Sequence, residues 1–424
     1  MPSLVRLTRD EMNGAEQITD YTLDNGLRVV AEHMPWMRST AVGVHIGAGA
    51  AHEDQSRRGI SHFIEHMLFK GTARRSVADI AQIIDGVGGV LNAFTDREYT
   101  CLYAQVMTEH TELALDVMAD MLGASLFDAD EFDREKEVVI EEIKKSEDTP
   151  EDRVHDLFDE TIWPGHPLGQ AILGEEHAVR GLSREAVADY YRANYGPQGI
   201  VFAVAGSLEP ATAVELARRY LEPLTGGSPN TPYPAPRAHP GEACLARPTE
   251  QVHFCIGCEG LPLTDNDYWA LALVDCALGG GMSSRLFQEI REKRGLVYSI
   301  GSHLVGYRGA GLVVASGGAR PERWPEVREL VRAETQRLCD EGISAAELDR
   351  AREQIKGGMA LALENTSYRM RRIGISALYW GRVIPVAEAI ANFEVVTPER
   401  ATAVAKCVLG ARPLHVAAVG PCSD

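Results

Sequence analysis

The sequence predicts an α+β protein of two homologous domains, each with a mostly antiparallel sheet packed with helices. Its 424 residues exceed the size of one compact core. An internal repeat is visible, because segment 182–206 (LSREAVADYYRANYGPQGIVFAVAG) parallels segment 396–420 (VTPERATAVAKCVLGARPLHVAAVG) at an offset of 420 − 206 = 214. A repeat of this length indicates two similar domains, not a solenoid of short units.

Composition predicts where the two domains are joined. Residues 223–240 contain six prolines together with a pair of glycines, which is typical of a linker. We therefore expect a first domain at residues 1–221, a linker at 222–244 and a second domain at 245–424.

Composition and charge exclude several classes of function. The longest apolar runs are too short to span a membrane, and residues 1–17 lack the apolar core of a signal peptide. The formal net charge of −19 argues against nucleic-acid binding and is compatible with basic peptide partners. Eight scattered cysteines fit a reducing compartment better than a disulfide framework, so we expect a cytoplasmic protein.

Hydrophobic patterning predicts the first elements in chain order. Strands are expected at residues 26–34 and 40–46, where β-branched residues alternate with other types. Residues 90–106 alternate as one strand, or as two with a turn near Asp96 and Arg97. Helices are expected at residues 59–72, 77–87, 111–122 and from 130 to about 146.

The helix predicted at residues 59–72 carries a candidate metal site. His62 and His66 are four residues apart, so one helical turn places both imidazoles on one face. Glu65 lies between them, which gives the order H-x-x-E-H, the inverted form of a common zinc-protease motif. Two solvated histidines beside a chance glutamate would give the same pattern, so the interpretation requires a third ligand.

The helix predicted from residue 130 supplies candidates for that ligand. Glu135 and Glu142 are seven residues, or two helical turns, apart and therefore share a face. Two valines, Val138 and Val139, are assigned to the same face. Carboxylates beside valines are expected to face inward, where a metal ion or a hydrogen bond must compensate their burial. The pattern favours Glu142 and leaves Glu141 as the alternative.

These motifs resemble those of the pitrilysin/mitochondrial-processing-peptidase family of zinc proteases. In that family H-x-x-E-H and a glutamate about 76 residues later bind zinc, and the count 142 − 66 = 76 selects Glu142 over Glu141. Other similar stretches are GGVLNAFT at 88–95, WPGHPLG at 163–169 and LGGGMSSRLFQEIREKRGLVYS at 278–299. The resemblance implies one Zn²⁺ per chain held by His62, His66 and Glu142, with Glu135 as a supporting residue beside the ligands.

The motifs and the resemblance together imply a reaction. Zinc would activate a water molecule, and Glu65 would be the general base in peptide hydrolysis. Asn92 and Ala93 lie on a predicted edge strand that, in the family, pairs with an extended substrate. Arg291 and Tyr298 match a family pair, on a second-half domain, that positions substrate and stabilises the developing oxyanion. Without the resemblance, Asn92 and Ala93 would be parts of an ordinary sheet strand. Arg291 would be a solvent-exposed arginine, and Tyr298 a tyrosine on a strand.

We therefore expect a zinc endopeptidase that hydrolyses unfolded peptides or short protein segments in a closed chamber. Chains of this length pair like a clamshell in the family, and retention of both the zinc site and the Arg291/Tyr298 pair favours a homodimer. The alternative is a non-catalytic assembly subunit of the same fold, although such relatives usually lose H-x-x-E-H. Glu142 corresponds to Gly358 in the second repeat (358 − 142 = 216), so only the first domain is expected to bind metal.

Two further motifs have simpler explanations than a second site. His253, Cys255 and Cys258 could contribute to another zinc site, but one C-x-x-C supplies only half of the usual ligands, and a buried strand is favoured. The triple glycine at 279–281 lacks the lysine of a phosphate-binding loop and is expected to form a flexible loop.

Overall fold

Two β-sheets organise the computed structural model, which describes residues 16–227 and 233–422. The first sheet contains β1 (Gln17–Thr22), β2 (Arg28–His33), β3 (Ser39–Ile46), β4 (Val90–Thr95), β5 (Thr100–Met107) and β6 (Ile200–Gly206). The second contains β7 (Glu242–Ala246), β8 (Val252–Glu259), β9 (Val297–Gly306), β10 (Gly311–Ala319) and β11 (His415–Gly420).

Helices occupy most of the chain between these strands. In the first half they are α1 (Ile60–Leu68), α2 (Val77–Asp85), α3 (Thr111–Ala124), α4 (Ala129–Asp148), α5 (Pro150–Ile162), α6 (Glu176–Gly181), α7 (Arg184–Asn194) and α8 (Pro210–Tyr220). In the second half they are α9 (Tyr268–Gly279), α10 (Trp324–Glu341), α11 (Ala345–Ala362), α12 (Thr366–Trp380), α13 (Val386–Glu394) and α14 (Pro398–Ala405). The helices predicted before residue 150 are all present, with ends that differ by a few residues.

Strand pairing confirms the predicted fold class. The strand order is β1-β2-β6-β3-β5-β4 in the first sheet and β7-β11-β8-β10-β9 in the second. Each sheet has one parallel pair, β2 with β6 and β7 with β11, and its other neighbours are antiparallel. Residues 90–106 form two strands with a turn at the predicted place, and β4 lies at the edge of the first sheet.

Each sheet buries one face under helices from its own half of the chain. In the first half, α1, α3 and α4 contribute Phe63, Leu115 and Val139 to the core beneath the sheet. In the second half, α9 and α10 contribute Leu273 and Val331 to the corresponding core. The buried residues of α4 recur at helical spacing, so one stripe of that helix faces the core, whereas α9 is buried on nearly all sides.

The opposite faces are covered by an exchange of helices between the halves. From the first half, α5 packs Val154 and Phe158 against Val314 and Val419 of the second sheet. From the second half, α12 packs against the first sheet with Met370, Ile373 and Ala377. The two helices start 366 − 150 = 216 residues apart, which is one of the repeat offsets seen in the sequence. Helix packing therefore crosses the predicted domain boundaries at 221/222 and 244/245. We propose those boundaries for the two repeated sequences only.

Two glycines allow α12 to lie close to β3. A Cβ atom added to Gly43 would lie 2.3 Å from the sulfur of Met370, and one added to Gly374 would lie 2.3 Å from the ring of His45. Both distances are far inside van der Waals contact, so larger residues at either position would push the helix away from the sheet.

A buried ion pair also fixes α12 on the first sheet. The Arg369 guanidinium donates to the Glu32 carboxylate, whose side chain is only 1% exposed. We expect Arg369→Met to lower the free energy of unfolding by about 3 kcal/mol, because Glu32 would stay buried without its partner. Chemical denaturation followed by circular dichroism measures this change.

The matched control for that substitution is Arg382→Met. Arg382 pairs with Glu388 at the surface, where an ion pair contributes less than about 1 kcal/mol. Equal losses of stability in the two variants would contradict a special contribution from the buried pair.

One disulfide bond is present, although the scattered cysteines were expected to fit a reducing compartment better than a disulfide framework. Cys244 on β7 is bonded to Cys422, which follows β11, and their Cα atoms are 6.3 Å apart. The two residues are separated by 178 positions, so their spacing in the sequence does not indicate the pairing. The bond ties β7, which begins within the predicted linker, to the segment that follows β11. The free cysteines of the described residues are Cys101, Cys255, Cys258, Cys276, Cys339 and Cys407.

The segment with His253, Cys255 and Cys258 is a strand, β8, as favoured from the sequence. Cys255 packs into the core beneath α5, whereas Cys258 packs into the core on the other face of the sheet. The two sulfur atoms therefore lie on opposite faces and cannot share a metal ion. Across the described residues, no helix combines the length and apolar character that a membrane crossing requires.

Candidate metal centre

Helix α1 presents His62, Glu65 and His66 on the side that faces away from the core. Its other side carries large apolar residues, such as Phe63 and Met67, which are buried in the first core. This amphipathic pattern fixes the rotation of the helix, and the two imidazole rings lie with their centroids 4.7 Å apart. The i, i+4 spacing therefore has the predicted consequence that both rings can reach one point in space.

Helix α4 brings a carboxylate to the same point. Glu142 Oε2 lies 3.7 Å from His62 Nε2 and 3.4 Å from His66 Nε2. One potential ligand atom from each of the three residues lies within 4.8 Å of the other two. Packing of α1 on α4, with the Phe63 and Phe132 rings 4.8 Å apart, sets this separation.

These distances suit a shared metal ion. Ligands about 2.1 Å from zinc at tetrahedral angles lie about 3.4 Å from one another. Two imidazole nitrogens and one carboxylate oxygen are also the donor set of many catalytic zinc sites, which keep a fourth position open. The cluster that we call the triad, His62, His66 and Glu142, therefore fits zinc in both chemistry and spacing.

The alternative ligand, Glu141, points away from the triad. Its side chain is 71% exposed and its carboxylate accepts a hydrogen bond from Lys144 at 2.8 Å. The face assignment on α4 was partly wrong, because Val139 is fully buried but Val138 is 43% exposed. The buried stripe on α4 thus includes Glu135 and Val139 and excludes Val138, whereas Glu142 lies at its margin, beside the two histidines, with a side chain that is 43% exposed.

Glu135 contacts His66, the residue beside which it was expected to lie. Its Oε2 lies 3.0 Å from His66 Nδ1, and its Oε1 lies 2.5 Å from Lys70 Nζ. Burial favours the neutral acid, but the hydrogen bonds from His66 and Lys70 outweigh it and hold the pKa of Glu135 below its usual value. A hydrogen bond from Nδ1 to Glu135 leaves the Nε2 lone pair of His66 free to bind metal.

The two histidines have different electrostatic environments. Burial and then the proximity of His66 lower the pKa of His62 to about 3, so His62 is neutral near pH 7. Burial also opposes charge on His66, but Glu135 and Glu142 outweigh it and raise the pKa of that ring. Neutral imidazole is the form that binds a metal ion, and His62 is therefore ready for binding over the physiological range.

Glu65 lies at the wall of an open cleft and contacts a residue that the sequence did not identify. The Thr95 hydroxyl, at the end of β4, donates a 2.7 Å hydrogen bond to Glu65 Oε2. Burial raises the pKa of Glu65, and the hydrogen bond from Thr95 partly offsets this effect. Thr95 belongs to the motif GGVLNAFT, but nothing in that motif indicates which of its side chains reaches α1.

Residues Asn92 and Ala93 lie on the edge strand β4, as expected. Asn92 is exposed, whereas Ala93 is only 8% exposed and packs into the first core. Among the described strands, β4 pairs only with β5, so its outer edge offers backbone N–H and C=O groups to an extended chain.

The cleft beside the triad has a volume of about 420 Å³. One side is lined by Asp152 and Asp156 from α5, and apolar surface comes from Phe94 and Ile172. Because α5 packs on the second sheet, this wall of the cleft depends on the second half of the chain.

Arg291 and Tyr298 are not joined to the triad by any contact described within this chain. The Arg291 guanidinium lies 4.7 Å from the Phe287 ring centroid and 5.8 Å from that of Tyr298, and it also reaches Glu292. Tyr298 is 82% exposed at the start of β9. The pair is therefore available to another molecule, and the single chain leaves its predicted role untested.

The order H-x-x-E-H on α1, with Glu142 beside both histidines, is the signature of the inverted zincins. Residues 28–176 match the family Insulinase (Peptidase family M16), and residues 181–355 match Peptidase M16 inactive domain. The chain belongs to peptidase family M16, which confirms the resemblance recognised from its motifs.

Relatives of the chain are similar over nearly their whole length. An uncharacterized zinc protease of Streptomyces coelicolor is 39% identical, with 97% of this chain and 91% of that protein covered. The uncharacterized zinc protease YmxG of Bacillus subtilis is 39% identical, with coverage of 92% and 95%. A protease from Helicobacter pylori has a similar fold, with a TM-score of 0.90, 22% identity and coverage of 96% and 100%.

Proposed function

We propose that the chain is a zinc endopeptidase that hydrolyses unfolded peptides or short protein segments. The observation that carries this proposal is the triad, whose three donor atoms converge beside Glu65 at the wall of an open cleft. His62, His66 and Glu142 would hold one zinc ion, and the names of the relatives support this choice of metal. When bound, zinc supplies Lewis acidity that polarises a carbonyl and lowers the pKa of water.

Side chains and backbone of this chain would transfer the proton, orient His66 and bind the peptide. Glu65 would take a proton from the attacking water and return it to the leaving amine, because its carboxylate lines the same cleft as His62. Glu135 would hold His66 in one tautomer. The outer edge of β4, at Asn92 and Ala93, would bind the peptide as an added strand. An added strand must be extended, so folded proteins would be poor substrates.

Charge suggests a preference within that substrate class. Asp152 and Asp156 line one wall of the cleft, and the whole chain has a formal net charge of −19. Both features favour peptides with basic residues near the cleavage site. Digestion of a peptide library, with Glu65→Gln as the blank, tests the proposal: we expect cleavage of unfolded peptides, enriched in basic ones, and no cleavage of folded proteins. A library left intact by the zinc-loaded chain would favour the non-catalytic assembly subunit instead.

We also propose that two copies of the chain form a cytoplasmic homodimer with a closed chamber. The exposed pair Arg291 and Tyr298 would then face the triad of the partner, where it could position substrate and stabilise the oxyanion. The Cys244–Cys422 disulfide is unusual for a protein of a reducing compartment such as the cytoplasm. Cell fractionation tests the proposed cytoplasmic location.

Mixing two inactive variants tests the shared site. Glu65→Gln lacks the base but keeps Arg291 and Tyr298, whereas Tyr298→Phe keeps the base but lacks the hydroxyl. Random exchange makes half of the dimers mixed, each with one undamaged composite site, so activity should rise to about a quarter of wild type. Peptide hydrolysis after demonstrated exchange measures this. If exchanged mixtures of two inactive variants stay inactive, each site is completed within one chain; if Tyr298→Phe is active by itself, its hydroxyl is dispensable.

A further inference from the structure

The hydrogen bond between Thr95 and Glu65 joins two parts of the site that the sequence places far apart. Thr95 Oγ1 donates to Glu65 Oε2 at 2.7 Å. Glu65 is on α1, whereas Thr95 is the last residue of β4. A glutamate side chain has three rotatable bonds, so a hydrogen bond from a residue on another element restricts where its carboxylate can point.

Thr95 itself is held firmly by its surroundings. It pairs in register with Thr100 across the β4–β5 ladder, and Asp96 N–H donates to Tyr99 O to close the turn. In that turn, Arg97 forms an ion pair with Asp159 of α5 at 2.6 Å, and both side chains are largely buried. The end of β4 is therefore anchored to a helix that packs on the second sheet.

The same strand is the one whose outer edge is open to a peptide. Asn92 and Ala93 lie three and two residues before Thr95, so the peptide edge and the donor to Glu65 are parts of one short rigid element. A general base works only when it lies within hydrogen-bonding reach of the proton that it takes. One strand can thus set the position of the peptide and of the base relative to each other.

We propose that Thr95 is a positioning residue whose hydroxyl holds the Glu65 carboxylate in the orientation needed for proton transfer. This inference rests on the proposed function, in which Glu65 is the general base. In this role Thr95 neither contacts the metal nor transfers a proton. Its effect should therefore appear in the chemical step and not in peptide binding or metal content.

The test compares Thr95→Val, Thr95→Ser and a matched control. Valine has the shape of threonine without the hydroxyl and keeps the backbone N–H, whereas serine keeps the hydroxyl. Thr100→Val makes the same chemical change at the cross-strand partner, whose hydroxyl donates to Ala48 O and not to the site. The measurements are kcat and KM for one peptide, zinc content by elemental analysis, and a crystal structure of each variant.

We expect Thr95→Val to lower kcat by about tenfold, the usual effect of losing one hydrogen bond to a charged group, with KM changed by less than about twofold. Zinc content should be unchanged, and Glu65 should occupy more than one rotamer in the crystal. Thr95→Ser and Thr100→Val should both retain kcat within about threefold of wild type, with a single Glu65 rotamer.

The outcomes separate this inference from the proposed function. If Thr95→Val keeps full kcat while Glu65→Gln is inactive, Thr95 does not position the base and the proposed function stands. If Thr95→Ser is as slow as Thr95→Val, the hydroxyl is not the cause and the inference fails. If Glu65→Gln retains activity, Glu65 is not the base, and both the proposed mechanism and the role of Thr95 are overturned.

Discussion

We expect Glu65→Gln to lower kcat by roughly 10³-fold while the chain keeps its fold and its zinc. Glutamine has nearly the same shape as glutamate, and its amide oxygen can still accept the hydrogen bond from Thr95. It cannot accept a proton, so only the proton-transfer step is removed. The triad is unchanged, which is why metal content should not fall. Peptide hydrolysis and elemental analysis on the same samples measure the two effects.

Glu141→Gln is the matched control for that substitution. Glu141 lies next to Glu142 in sequence, but its side chain is 71% exposed and pairs with Lys144 outside the cleft. This variant should hydrolyse peptides at the wild-type rate. A Glu65→Gln protein that retains near wild-type activity would show that another group takes the proton.

The substitution His66→Ala should release the metal. It removes one of three ligands and leaves Glu135 paired only with Lys70, so the triad loses both a donor and its support. Loss of a supporting residue alone typically weakens metal binding by 10–100-fold, and loss of a ligand should weaken it by more than about 100-fold. The apolar side of α1 is unchanged, so the fold should persist. Elemental analysis after dialysis and circular dichroism measure metal and fold.

His177→Ala is the matched control for the loss of metal expected in His66→Ala. His177 on α6 has a side chain that is 79% exposed and contacts only Glu175 among the described ion pairs. This variant should retain as much zinc as wild type. Full retention of zinc in His66→Ala, under conditions that exchange the metal, would contradict the assignment of the triad.

Local sequence patterns predicted those features that depend on one helix or one strand. The i, i+4 spacing of His62 and His66 fixed their common face, because helical geometry needs no other information. The choice between Glu141 and Glu142 could not be made from the local pattern alone. The pattern left both open, the 76-residue spacing of the family selected Glu142, and the structure shows Glu141 pointing outward.

Features that depend on distant packing could not be predicted in this way. An amphipathic helix shows that one face is buried, but it does not show against which sheet, so the exchange of α5 and α12 was not foreseen. Thr95 reaches Glu65 only because β4 packs beside α1, and the Cys244–Cys422 bond spans 178 residues. Val138 was assigned to the inner face of α4 from spacing alone, but small rotations of a helix decide exposure at the margin of its apolar stripe.

Metal titration of the metal-free protein tests the central claim most directly. The chain is first stripped with a chelator, and zinc is then added back in steps while bound metal and peptide hydrolysis are measured together. The proposed site predicts that the stripped protein is inactive and that activity rises in proportion to bound zinc, with saturation at about one ion per chain. Hydrolysis that continues at the wild-type rate in the metal-free protein, or zinc binding of that stoichiometry without any hydrolysis of unfolded peptides, would contradict it.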